Sequence, residues 1–317
     1  MNPKKPVICI GILVADIVGR PLRAIPDPGR LVLVDEMRLH TGGCAINAAT
    51  ALALLGLPVE VIGKIGLDPF GDFVLGELGK RGIGALGIKR DDQAGTSATM
   101  VMVEPDGERR FVHYIGANAH LKLEDIDLER VTAGSILHVA GSLVMPGIDG
   151  QPTAELLSWA RAAGVVTFLD TVWDDTGSWM KILAPCLPFI DYFVPSLPEA
   201  QALTGQQSPQ DCARILLEHG AGTVAIKMGV DGCLVMNDSG QSFRLPSFQV
   251  KVVDATGAGD AFAAGFIAGV WLDWPLEKTA RFANAVGALC VTGAGAAGGL
   301  RSLDETLAFM EKALPRT

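Results

Sequence analysis

Asp254-Ala255-Thr256-Gly257-Ala258-Gly259-Asp260-Ala261-Phe262 carries more information than any other stretch of this 317-residue chain. A strand predicted over Phe248–Val253 feeds a turn of two glycines and an alanine, and Asp260 then opens a helix of small residues predicted over Ala261–Trp271. Bare N–H groups at a helix start form an anion site, because four donors lack intrahelical partners and the dipole adds positive potential. Gly257 and Gly259 let that backbone approach a phosphate with no Cβ in the way. A carboxylate there repels a bound anion. It is useful where Asp260 must take or orient the proton of a hydroxyl that attacks a phosphoryl group held by the turn. The plainer reading of Asp260 is an N-terminal acid that stabilises its helix.

Outward from this segment, apolar strands alternate with amphipathic helices, the pattern of an α/β doubly wound parallel sheet. The predicted strands are Val7–Leu13, Val59–Ile65, Ile136–Ala140, Val165–Leu169, Tyr192–Pro195, Thr223–Met228 and Phe248–Val253. The predicted helices are Ala45–Leu55, Asp72–Arg81, Pro152–Ala163, Asp211–Gly220, Ala261–Trp271, Glu277–Val291 and Leu303–Leu314. Two β insertions interrupt the alternation. Arg30–Leu39 reads as a strand, and Thr99–Val103 with Arg109–Ile115 reads as a hairpin around Pro105-Asp106-Gly107-Glu108. Paired, they make a small sheet over the C-terminal edge of the main one, where ligands gather in open α/β folds.

Composition removes several classes of function. With 49% hydrophobic residues and a mean hydropathy of +0.33 the chain is globular, yet no apolar run reaches the roughly 18–20 residues of a spanning helix. Lys4-Lys5 before Val7–Ala15 imitates a signal peptide, but a buried first strand accounts for the same run. The net charge of −9 argues against a nucleic-acid partner. Six scattered cysteines without a C-x-x-C pair predict a reducing compartment, the cytoplasm, with thiols as small packing groups. Gly82-Ile83-Gly84-Ala85-Leu86-Gly87 and Gly293-Ala294-Gly295-Ala296-Ala297-Gly298 both satisfy G-x-G-x-x-G, but each follows a helix rather than a strand. A P-loop and a G-x-S-x-G elbow are both missing from the sequence.

Asp254–Asp260 resembles the second signature of the ribokinase, or PfkB, family of carbohydrate kinases. Gly42-Gly43-Cys44-Ala45-Ile46-Asn47-Ala48-Ala49, followed by Leu54-Leu55-Gly56 and Gly63–Gly71, resembles the first, about 210 residues upstream. The resemblance covers essentially the whole chain. It implies one ribokinase-like domain over residues 1–317, a mostly parallel sheet flanked by helices, with a discontinuous β lid from about 14–40 and 95–118. It implies an ATP-dependent, Mg²⁺-requiring kinase that phosphorylates a hydroxyl of a small sugar or sugar-like polyol. Asp260 is then the base, and the N–H groups of Gly257, Ala258 and Gly259 stabilise the transferring phosphoryl.

The other candidate residues have both a plain and a functional reading. Asp16 follows the first strand, Gly42-Gly43 turns into a helix, and Asn47 sits on its first turn. Spacing alone suggests a capping turn; the resemblance makes Asp16, Gly42, Gly43, Asn47 and Asp254 the sugar-binding set. Ser196-Leu197-Pro198-Glu199 is a capping box, and also resembles the family's N-x-x-E segment, whose glutamate helps hold Mg²⁺ through water. Lys227, Gly229 and Gly232 follow a strand, where a lysine can neutralise nucleotide phosphates. Asn284 reads either as a solvated helix residue or as the residue flanking adenine, and the Gly293–Gly299 loop resembles one that lends carbonyls to a monovalent cation such as K⁺.

Two departures bear on the substrate. Cys44 replaces the lysine of ribokinases proper, and Asp170-Thr171-Val172-Trp173-Asp174 lacks the asparagine and arginine of a D-x-N-x-R motif. Without that arginine, Arg109 or Arg110 on the lid is left to meet a sugar acid. A nucleoside kinase and a sugar or nucleotide sensor without turnover remain alternatives on the same fold. The lid hairpin is marginal alone and predicts a homodimer in which two lids pack together.

Overall fold

The computed structural model describes residues 5–106 and 108–316; Lys4 and Gly107 lie outside the described residues. In chain order the first elements are β1 (Val7–Gly11), β2 (Val14–Arg20), β3 (Glu36–Gly42), α1 (Cys44–Leu54), β4 (Val59–Gly66) and α2 (Pro69–Lys80). There follow β5 (Gly84–Asp91), β6 (Ala98–Val103), β7 (Arg109–Tyr114), α3 (Leu128–Ala133), β8 (Ile136–Ser142), α4 (Gln151–Ala162) and β9 (Val166–Thr171). The next are α5 (Trp179–Leu183), β10 (Tyr192–Phe193), α6 (Leu197–Thr204), α7 (Pro209–Glu218), β11 (Thr223–Lys227), β12 (Cys233–Asn237) and β13 (Ser242–Leu245). The chain closes with α8 (Ala258–Trp271), α9 (Leu276–Cys290) and α10 (Leu303–Lys312).

Continuous apolar runs build the larger sheet, because a parallel strand covered on both faces has no polar side. Its order is β13-β12-β11-β10-β9-β8-β1-β4-β5, parallel except for the antiparallel pairs β11–β12 and β12–β13. Along β1 the side chains alternate between two cores. Val7 and Cys9 pack with α1, α8 and α9 on one face, Ile8 and Ile10 with α4, α6 and α7 on the other. This doubly wound arrangement is the fold class expected. No helix among the described residues is long and apolar enough to cross a membrane.

The second sheet has the order β3-β2-β6-β7, with β2 antiparallel to β3 and parallel to β6. Its first part differs from expectation. The strand predicted over Val7–Leu13 ends at Gly11, and the chain re-forms as β2 in the other sheet from Val14. The strand predicted over Arg30–Leu39 lies instead at Glu36–Gly42, where its hydrogen-bond partner β2 is available.

Phe248–Val253 is not a strand. Only Phe248 makes a bridge, to Pro315; Val253 N–H donates to Val291 O at 2.8 Å, and the Val252 and Val253 side chains are exposed. The alternating, β-branched pattern there serves an extended connector rather than a ladder. Strands β5, β12 and β13 fall outside the predicted set.

Candidate active site

α1 and α8 carry the centre of the site. The two helices pack side by side through small residues, so their first turns meet at the C-terminal edge of the large sheet. Asn47 Nδ2 donates to Asp260 Oδ2 at 2.8 Å, joining positions 213 residues apart. Gly257 caps α8 with φ 74°, and a Cβ there would run into Ala296 of the glycine loop; only glycine fits both constraints. Gly42 ends β3 against Asp16, whose carboxylate occupies the space a side chain would take.

The two sheets face each other across a cavity of 710 Å³, a volume typical of small-molecule sites. Asp16, Thr99, Arg109 and His113 line it from the small sheet. Gly42 lines it from the end of β3, and Gly43, Asn47, Asp254, Gly257 and Asp260 from the loops and helices opposite. Predicted residues from the two remote signature segments thus converge with Asp16. Arg109 pairs with the Asp254 carboxylate and donates to the Thr256 hydroxyl, so β7 is tied to the loop before α8. Asp254 also accepts N–H groups from Thr256 at 2.9 Å and Gly295 at 2.6 Å.

The three carboxylates are tuned apart. Burial and the nearby charge of Asp170 push Asp260 up to about 6, against the opposing pull of Asn47, Lys227 and Cys44. Burial also raises Asp16, partly offset by Thr99, His113 and His40. For Asp254 burial is outweighed by its backbone donors, Thr256 and Arg109, which hold it below the usual carboxylate range.

Other predicted residues lie around this centre rather than in the cavity. The Ala258 N–H is turned to Ala255 O at 3.3 Å. Lys227 comes from the end of β11, its Nζ 3.4 Å from where a Cβ on Gly259 would stand, so the ammonium sits at the start of α8. Gly229 and Gly232 bracket a tight turn whose Val230 and Asp231, with Arg244, Pro246 and Arg316, line a second, shallower cavity. Asn284 is buried, not solvated, and its amide points to the carbonyls of Leu245 and Pro246 at 3.4 and 3.3 Å, behind that second cavity. Ser196 and Glu199 form the capping box of α6, and Glu199 Oε2 also accepts the Thr171 hydroxyl at 3.1 Å. Asp174 binds Thr176, Ser178 and Trp179 and so organises its own loop.

Sequence reasoning gives no role to a buried pair in the large sheet: Asp170, near the end of β9, lies beside His138 on β8. Their signal is a charge and an imidazole inside otherwise apolar parallel strands.

Residues 4–303 match the pfkB family of carbohydrate kinases, and the chain belongs to that family. It is therefore a carbohydrate kinase, a phosphotransferase with an alcohol acceptor. The chain is 28% identical to a 2-dehydro-3-deoxygluconokinase of Bacillus subtilis, covering 89% of this chain and 90% of that one. It is 29% identical to a ribokinase of Haemophilus influenzae, covering 98% and 100%. Among solved structures, a ribokinase of Thermotoga maritima superposes with a TM-score of 0.84 at 26% identity, over 97% of this chain and 100% of that one. A ribokinase of Arabidopsis thaliana, complexed with ribose and ATP, has the same fold with a TM-score of 0.86 at 24% identity, over 97% and 99%.

Proposed function

We propose that the chain transfers the γ-phosphoryl of ATP to a hydroxyl of a small sugar or sugar-like polyol held in the 710 Å³ cavity. The observation that carries this reading is the Asn47–Asp260 hydrogen bond at the start of α8. It fixes a half-buried carboxylate beside the N–H groups of a glycine turn, so proton acceptor and anion site share one place. Asp260 accepts the hydroxyl proton; raised to about 6, it remains mostly ionised at neutral pH yet holds a proton better than an ordinary carboxylate. Backbone donors of the Gly257–Gly259 turn and the Lys227 ammonium stabilise charge on the phosphoryl group. Asp16, Asn47, Asp254 and the Gly42-Gly43 backbone orient the sugar.

The nucleotide lies along the Gly229–Gly232 turn, with Asn284 holding the loop behind it. Mg²⁺ suits this donor set, because it keeps most of its waters and needs few protein carboxylates. Glu199, oriented by Ser196 and Thr171, is the carboxylate available to it. When bound, the ion neutralises phosphate charge. Carbonyls of the Gly293–Gly299 loop supply a site for a monovalent cation such as K⁺.

The four-stranded sheet acts as the lid of one domain, and its polarity supports a homodimer. Residues Asp16, Arg38, Thr99 and His113 face the cavity, leaving Met37, Met100, Val112 and Tyr114 exposed on the opposite face. A second copy covers that apolar face. An ADP-release screen over sugars, sugar acids and nucleosides with MgATP tests the function. Release with a sugar or polyol supports it; release with nucleosides alone, or with none of these acceptors, rejects it.

A further inference from the structure

The cavity face of the small sheet is built in rows. Strand register sets His40, Asp16, Thr99 and His113 side by side across β3, β2, β6 and β7, and all four line the cavity. The next row along the same strands is Arg38, Val18, Val101 and Phe111. The first row is thus a continuous polar strip facing the ligand space, with mostly hydrocarbon beside it.

The order of hydrogen bonds within the strip follows from its chemistry. Thr99 is buried, and its Oγ1 lies 3.0 Å from His113 Nδ1. On its other side stands Asp16, its register partner, whose carboxylate the Thr99 hydroxyl stabilises. A hydroxyl has one proton to give, and an ionised carboxylate can only accept. A bond to a carboxylate is about twice as strong as one between neutral groups, so the Thr99 proton goes to Asp16. Oγ1 then offers only lone pairs to His113, and Nδ1 must carry the ring proton. Partial desolvation outweighs the pull of Asp16 and holds the imidazole below its ordinary value. At neutral pH the second nitrogen, Nε2, is therefore bare, and it makes no hydrogen bond to any described residue.

We propose that the Asp16–Thr99–His113 chain fixes the imidazole with Nδ1 protonated, so that Nε2 accepts the hydroxyl proton of a bound sugar or polyol. His113 is then a specificity-determining residue of the acceptor site, and Thr99 a positioning residue that acts through it. Asp16 and His113 stand two strands apart, roughly 10 Å between backbones, and both accept protons. The strip selects an acceptor with hydroxyl donors toward each of them and disfavours one that presents a carboxylate there. This rests on the reading of the cavity as the acceptor site.

The first test needs no turnover. In protein carrying ¹⁵N-labelled histidine, at about pH 8, above the ordinary imidazole value, the ring resonances missing from His113→Ala report His113. Nδ1 should be protonated and Nε2 bare; the reverse pattern overturns the proposal. Thr99→Val removes the hydroxyl and should abolish that preference, whereas Thr99→Ser keeps the hydroxyl and should keep it. A pattern unchanged in Thr99→Val overturns the role of Thr99, and Thr99→Ala carries the same reading should Thr99→Val fail to fold in a thermal melt. The second test uses the sugar or polyol of lowest KM in the ADP-release screen. His113→Ala should raise that KM by roughly 2–12-fold, the worth of one hydrogen bond, with kcat nearly unchanged. An unaltered KM overturns the proposal. The expected tautomer in a chain that releases no ADP with any acceptor contradicts the proposed function alone.

Discussion

The two sheets of this molecule treat their faces in opposite ways. Every residue of β8 is buried, and β1 feeds one core with its odd positions and another with its even ones. No residue of β7 is buried, and the small sheet turns a face of mixed polar and apolar groups toward the cavity and Met37, Met100, Val112 and Tyr114 out. Burial on both faces makes the large sheet the source of stability; the small one leaves one face to the cavity. The proposed catalytic groups are accordingly anchored on the rigid side, and the strands proposed as a lid belong to the side with least to lose by moving.

That division can be broken by substitution on either side. The largest effect belongs to Asp260→Asn, expected to lower kcat by about 10²–10⁴-fold with sugar and ATP binding retained; wild-type turnover would remove the base from the mechanism. Phe168, fully buried and stacked on Tyr192 at 4.6 Å, should cost about 3–5 kcal/mol when replaced by alanine, read from denaturant unfolding. Phe111→Ala on the small sheet, where the ring is 61% exposed, should stay within about 0.5 kcal/mol of wild type. Similar losses at both positions would erase the contrast.

Asp260→Asn has a second consequence. The folded-state value lies above that of the unfolded chain, so the carboxyl favours folding while protonated, and that contribution is lost as pH rises through about 6. The variant should therefore gain stability over wild type progressively between about pH 4 and 7, reaching roughly 3 kcal/mol at pH 8. A gain that shrinks with rising pH would mean the carboxylate is stabilised, not strained, by its surroundings.

Asp16→Ala should raise the sugar KM by about 10–150-fold, the value of one charge-assisted hydrogen bond, with a smaller change in kcat. An unaltered KM would reduce Asp16 to a structural neighbour of Gly42. Smallest in stability is Val112→Lys on the outward face of the small sheet. It should leave the melting curve nearly in place while shifting sedimentation at micromolar concentration from dimer to monomer.

Much of this was legible because it rests on local chemistry. Two glycine turns feeding small-residue helices pointed to one shared site, and Gly42, Asn47, Asp254 and Asp260 do line one cavity. Strands buried on both faces were recognisable from unbroken apolar runs such as Val7–Ile10 and Val224–Ile226. The misses share a different cause. Val250–Val253 alternates like a strand but has no partner edge, while the glycine-containing β5 has one in β4 and pairs with it. Pairing is a property of neighbours remote in sequence, and pattern alone does not reveal it. Asn284 reads as polar surface until β13 is placed over it.

The tie between Arg109 and Thr256 spans 147 residues. All four strands of the small sheet are synthesised by Tyr114, yet the loop that anchors β7 emerges only after Asp254. At about 5–20 residues per second, the nascent sheet waits roughly 7–30 s for its anchor, with Met100, Val112 and Tyr114 open to solvent.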